Sequence, residues 1–191
     1  MYEEYTDLKK KNYSLESLRN DNKFYKSENK RLKKLIDEKN IYSNEFLLAK
    51  VLLDKQSPYL NSVIINKGFK HGITLGLAVK EKSYFVGKII NVNFLTSRVL
   101  LASDLNSKIP VIIEPTGANA IMTGQGQNNY AELEYLPKVK KIKKDDIVYT
   151  SGVDEIIPQA IPIGKIIELE EKLLVEFFVD FNQLKYVKVN K

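Results

Sequence analysis

The sequence contains no cysteine and one histidine, His71. The first absence excludes disulfides and cysteine-ligated zinc, and it leaves the redox compartment open. With one histidine, a metal site would need carboxylates, and no Asp/Glu cluster shows the usual ligand spacing. No cofactor is expected. Glycine and proline are missing from residues 1–57, although the chain holds nine and six of them. Both residues punctuate structure, so their absence marks one long uninterrupted element. No apolar run reaches about 18 residues, the length of a membrane span, and the start of the chain lacks the apolar core of a signal peptide.

What is present suits a packed protein. Of the 191 residues, 43% are hydrophobic and 28% charged, with net charge +6. The basicity follows a lean toward Lys, Asn, Ile and Tyr, all encoded by A/T-rich codons, so it does not by itself point to a polyanionic partner. Residues 1–44 read as a coiled-coil helix. With Leu8 at an a position, the a series runs Leu8, Leu15, Asn22, Asn29, Ile36 and the d series Lys11, Leu18, Tyr25, Leu32, Lys39. Leu8, Leu15, Leu18, Asn22, Tyr25, Asn29, Leu32 and Ile36 form the expected seam. Two asparagines at successive a positions favour a parallel, in-register homodimer at a cost in stability.

From Phe46 the apolar period falls to 2. Short β-forming runs follow at Phe46–Leu53, Ser62–Ile65, Leu77–Lys82, Phe85–Val92, Arg98–Ser103 and Pro110–Glu114. More lie at Ala118–Thr123, Tyr130–Leu136, Ile147–Thr150, Ile163–Leu169, Leu173–Phe181 and Tyr186–Val189. Turn signals at this spacing indicate barrels or a sandwich. The expected fold is mainly β: the long helix, then two small β-barrels at 45–115 and 116–191, with the last strands free to return to the first. Gly68, Gly72 and Gly76 read as positions of positive φ.

The stretch Asp145–Ile167 is the most unusual. Two β-runs flank a loop in which Pro158 and Pro162 bar a helix, and such loops are either functional or rigid connectors. His71, Asp104 and Ser151 stand in the chain order of a chymotrypsin-like triad. The flanks Thr150 and Gly152-Val153 argue against a nucleophile, because they lack the glycine setting of an oxyanion hole. Gly124 and Gly126 are followed by neither Lys-Ser/Thr nor a helix pattern, so no phosphate loop exists. The basic run Lys138, Lys140, Lys141, Lys143, Lys144 reads as a solvated turn or, less favoured, as contact for an anionic partner in a dimeric polyanion-binding module. No aromatic residues interleave it, which weakens a nucleic-acid reading.

Several segments together suggest a family. Ala49-Lys50-Val51 precedes Asn66-Lys67-Gly68 and Gly72, and Phe85-Val86-Gly87-Lys88-Ile89 ends a hairpin. Ser97-Arg98-Val99-Leu100-Leu101 leads to Asp104, and Gly124 and Gly126 form a Gly-x-Gly turn. Most specific is Asp146-Ile147-Val148-Tyr149-Thr150-Ser151-Gly152, then Pro158, then Ile161-Pro162-Ile163-Gly164-Lys165-Ile166. In order and spacing these resemble the extracytoplasmic part of the bacterial rod shape-determining MreC family. Asp154-Glu155, Gln159-Ala160 and the tip Lys82-Ser83-Tyr84 depart from it where glycine is usual. The resemblance implies a non-enzymatic scaffold of the cell-elongation machinery, dimeric through its coiled coil. Implied partners are the elongation-specific penicillin-binding protein, RodA, MreD and the MreB system, with no nucleic acid. It also implies a membrane-spanning anchor ahead of the coiled coil, with this region on the outer face of the bacterial inner membrane.

Overall fold

The computed structural model describes residues 15, 18–27, 46–52, 61–126, 129–137, 142–153, 156–169 and 172–190. Residues 1–41 and 42–191 form two separate compact units. In the first, residues 18–27 are helical, and Leu15, Leu18, Asn22 and Tyr25 of the expected seam are exposed. Leu8, Asn29, Leu32 and Ile36 lie outside the described residues, as does most of the expected coiled coil.

The second unit holds two closed six-stranded antiparallel barrels. The first comprises β1 (Phe46–Leu52), β2 (Ser62–Ile65), β3 (Ala78–Glu81), β4 (Tyr84–Val92) and β5 (Ser97–Leu101), with β12 (Tyr186–Asn190) between β1 and β3. The second comprises β6 (Lys108–Glu114), β7 (Ala118–Gly124), β8 (Tyr130–Glu134), β9 (Ile147–Thr150), β10 (Pro162–Leu169) and β11 (Lys172–Phe177). Its cyclic order is β10-β11-β8-β7-β6-β9. The join expected at Pro115–Gly117 is therefore corrected. That segment is the hairpin turn between β6 and β7, and the chain crosses between barrels at residues 102–107. The reason is packing: Ile109, Val111 and Ile113 of β6 are buried in the second core.

One six-strand plan is used twice. Aligning β12-β1-β2-β3-β4-β5 with β6–β11 reproduces the neighbours and the register. Gly87 opposes Val79 and Leu101 as Gly164 opposes Val148 and Phe177, and Val99 opposes Val63 as Val175 opposes Ala131. The repeat is visible in the sequence as Gly87-Lys88-Ile89-Ile90 and Gly164-Lys165-Ile166-Ile167. In the first barrel the opening strand of the plan is supplied by the far end of the chain.

Alternation of buried and outward residues fills each barrel. Ala49, Ile65, Ile73, Val79, Val86 and Val187 pack in the first, and Ile109, Met122, Val148, Ile163, Ile166 and Val175 in the second. Strand β4 is buried on both faces. Val86 points into its own barrel, while Phe85, Ala78 and Ala102 join the core of the other. Burying Phe85 alone is worth roughly 2–3 kcal/mol, which makes this seam a fixed contact. Phe181 packs against both cores, and Tyr84 lies 5.0 Å from Phe178.

Candidate interaction site

The barrels meet at Asp104. This buried carboxylate accepts from the Asn61 N–H (2.6 Å), the Asn106 N–H (2.7 Å) and the Asn106 side-chain amide (3.0 Å). Asn61 also donates its amide to the Gly126 carbonyl at 2.6 Å, and the Gly126 N–H donates to the Ser103 carbonyl at 2.7 Å. Gly124 completes the knot, because a Cβ there would strike the Ala102 and Asp104 carbonyls. The start of β2, the crossing after β5 and the turn after β7 are thus tied together through Asp104 and Asn61. A cavity of about 400 Å³ opens beside it, lined by Asn61, Ser103, Asn129, Phe181 and Asn182 among others. Amides dominate its wall, and among the described residues none of the lining side chains is an acid or a base.

The two-proline loop is tied as firmly. Buried Thr150 donates its hydroxyl to the Pro158 carbonyl (2.6 Å) and accepts from the Ile161 N–H (3.0 Å). Its backbone exchanges hydrogen bonds with Ala160 and Ile161, and the Ser151 N–H donates to the Pro110 carbonyl. Gly152 sits at φ 73°, where a Cβ would lie 2.8 Å from that of Gln159. Pro162 opens β10 opposite Tyr149, and the Asp146 carboxylate accepts from the Lys143 N–H at 2.8 Å. The loop reaches the other barrel: an added Cβ on Gly76 would meet Ile156 at 2.5 Å. Gly87 and Gly164 lie against the Leu100 and Glu176 carbonyls, so the paired glycines let neighbouring strands approach.

Gly68 corrects the expectation of positive φ. Its φ is −144°, and what it needs is closeness, since a Cβ would collide with the Asn93 carbonyl. Gly72 and Gly76 do occupy the left-handed region, at 78° and 85°. At two of the family departures the left-handed backbone persists without glycine: Lys82 has φ 53° and Ala160 has φ 66°.

His71, Asp104 and Ser151 do not bond one another. His71 Nδ1 accepts from the Gly68 N–H at 3.1 Å, Asp104 is committed as described, and Ser151 Oγ accepts from the Val153 N–H at 3.4 Å. Among the described residues no group of three His, Asp or Glu side chains could hold a metal. Lys143 and Lys144 of the basic run are outward-facing, while Lys138, Lys140 and Lys141 lie outside the described residues. Charge concentrates elsewhere. Residues 46–103 and 186–190 carry eight lysines and one arginine against two acids, whereas residues 108–177 carry eight lysines against eleven acids.

What the arrangement offers is surface. The outer face of β1 and β12 exposes Phe46, Leu48, Leu52 and Tyr186, with Lys188 Nζ 4.6 Å from the Phe46 ring centre. At one end of the same barrel Phe69, Phe94 and Leu95 are exposed. Sequence reasoning passed over both sets, since neither is contiguous in the chain.

The profile of the family described as "Rod shape-determining protein MreC, barrel core" matches residues 51–191, which takes in all of the second barrel and most of the first. The chain belongs to the MreC family. The cell shape-determining protein MreC of Caulobacter vibrioides is 35% identical over 127 residues, covering 66% of this chain and 36% of that protein. The chain thus spans well under half of that relative. The structure of MreC from Listeria monocytogenes superposes with TM-score 0.77 at 27% identity, over 95% of this chain and 92% of that one. A chain of the complex between penicillin-binding protein PBP2 and MreC from Helicobacter pylori aligns with TM-score 0.56, over 77% of this chain and 99% of that one. Its 12% identity carries the fold alone. As an MreC-family barrel core, the chain shares with these structures the double barrel described above.

Proposed function

We propose that this chain is a non-enzymatic scaffold of the cell-elongation machinery, holding a penicillin-binding synthase in its working arrangement through barrel surface. The observation that carries the reading is the family match across residues 51–191. His71 and Ser151 each accept a nearby backbone N–H, and Asp104 is taken up by Asn61 and Asn106. The signature residues Asp104, Thr150 and Gly152 thus serve loop shape in this reading. The Helicobacter pylori MreC was solved in complex with a penicillin-binding protein, which supports that partner class for a chain of the same family. RodA, MreD and the MreB system complete the proposed assembly.

In the same reading the helix pairs two copies. The support is the heptad spacing of Leu15, Leu18 and Tyr25, since every described residue of this helix is exposed in the single chain. A membrane anchor would hold this region on the outer side of the inner membrane. No helix among the described residues is long and apolar enough to cross a membrane.

The test is direct binding. The purified chain should form a complex with the extracytoplasmic part of its organism's elongation-specific penicillin-binding protein on size-exclusion chromatography. Separate elution of the two at tens of micromolar would remove the reading.

A further inference from the structure

The glycine motif of the first barrel builds a display of apolar side chains. Phe69 opens a short 3-10 turn, Phe69–His71, and donates its N–H to the Asn93 carbonyl at 2.9 Å. Lys70 donates likewise to the Phe94 carbonyl at 3.0 Å. Gly68 lets the two loops touch, as its missing side chain would overlap Asn93, Leu95 and Thr96. Fully buried Ile73 anchors the loop from beneath. On this clamped base Phe69 is 70% exposed, Phe94 64% and Leu95 54%. Large apolar groups held rigidly in solvent mark an interaction surface, and rings whose backbone is already ordered lose little entropy when a partner covers them.

The surrounding charge selects the partner. No acidic residue occurs between Asn61 and Lys80 or between Lys82 and Ser103. Lys67 and Lys70 flank Phe69 on the same turn. Two flanking cations fall short of the clusters of about four to eight that anionic membranes recruit. They suit a protein segment whose apolar side chains are bordered by carboxylates.

We propose that this end of the first barrel, built by Phe69, Phe94 and Leu95, is the docking surface for the penicillin-binding partner. The partner meets it with an apolar segment bearing acidic residues. The proposal rests on the scaffold reading above and adds where the contact is made and with what chemistry.

Affinity of the chain for the extracytoplasmic part of the cognate penicillin-binding protein would be measured by interferometry at two salt concentrations. The double variant F69S/F94S is expected to weaken binding about 30-fold, the loss typical of an interfacial hot spot. K67E/K70E should weaken it and flatten its salt dependence, while L48S/Y186S on the outer face of β1 and β12 leaves it unchanged. All are surface changes, and unaltered melting curves confirm their folding. Absence of binding by the unaltered chain overturns the scaffold reading itself. Binding that survives F69S/F94S but falls with L48S/Y186S overturns only the docking surface. Sedimentation with phosphatidylglycerol vesicles, lost in F69S/F94S while synthase binding persists, would reassign the surface to the membrane.

Discussion

At the scale of single residues, the barrels are held by a few side chains with more than one task. Thr150 satisfies two backbone groups of the two-proline loop at once. Thr150→Val keeps the shape and orphans both, so it should cost roughly 2 kcal/mol in urea unfolding and open the loop to proteolysis. Ser151→Ala should change neither, because its hydroxyl makes only a long local contact. Lys82 and Ala160 hold a left-handed backbone that a Cβ disfavours by about 1–2 kcal/mol. Ala160→Gly should therefore stabilise by about 0.5 kcal/mol after the entropic cost of glycine, and an unchanged or lower melting temperature would contradict the strain. Lys80 stands directly opposite Lys188, and partial burial, then the Lys188 charge, hold its pKa below the ordinary lysine value. The folded state thus binds this proton more weakly than the unfolded one. The penalty is complete below the folded-state pKa and relieved as pH rises from there toward the ordinary value near 10.4. Lys80→Met should gain about 0.5 kcal/mol at pH 7, with the advantage shrinking in alkaline denaturation series.

At the scale of elements, β12 does the work of a clasp. It lies between β1 and β3, so the last strand closes the barrel that the first strand begins. Deleting residues 186–191 should expose both neighbours and abolish amide protection in β1 and β3, while β7 and β8 stay protected in hydrogen exchange. Equal protection throughout would refute the clasp. Strand existence was legible in the sequence because alternation and turn residues are local signals. The membership of β6 was not. Lys108–Glu114 has the same pattern whichever barrel it joins, and only the burial of Ile109, Val111 and Ile113 against β7 and β9 decides. The repeated Gly-Lys-Ile-Ile was present to be read and offered the one sequence clue to the duplicated plan. In the proposed coiled-coil dimer, Asn22 and Asn29 would restrict pairing. Replacing both with leucine should raise the helix melting temperature and allow higher oligomers in sedimentation equilibrium.

At the scale of the whole molecule, two barrels share buried Phe85 and half-buried Phe181, and the Asp104 knot and the Thr150 loop remove freedom at their seam. Such a body suits the positional role proposed above. The signature segments were legible because they are short and contiguous, and the structure gives them roles in backbone shape. The exposed apolar groups that would meet a partner were not legible, since Phe69 and Phe94 lie 25 positions apart and only the backbone bonds around Gly68 unite them. Charge was misleading for a similar reason: the densest lysine run belongs to the barrel with more acids than bases, while the scattered lysines of the first barrel sum to a cationic body. The central claim is that the chain acts by positioning a synthase. The most direct measurement is the rate of peptidoglycan synthesis by the cognate penicillin-binding protein and its polymerase partner, with and without this chain. The account predicts a rate that rises and saturates as the chain is added, the same for Ser151→Ala, with no turnover by the chain alone. A rate indifferent to the chain, or one that depends on the Ser151 hydroxyl, would contradict it.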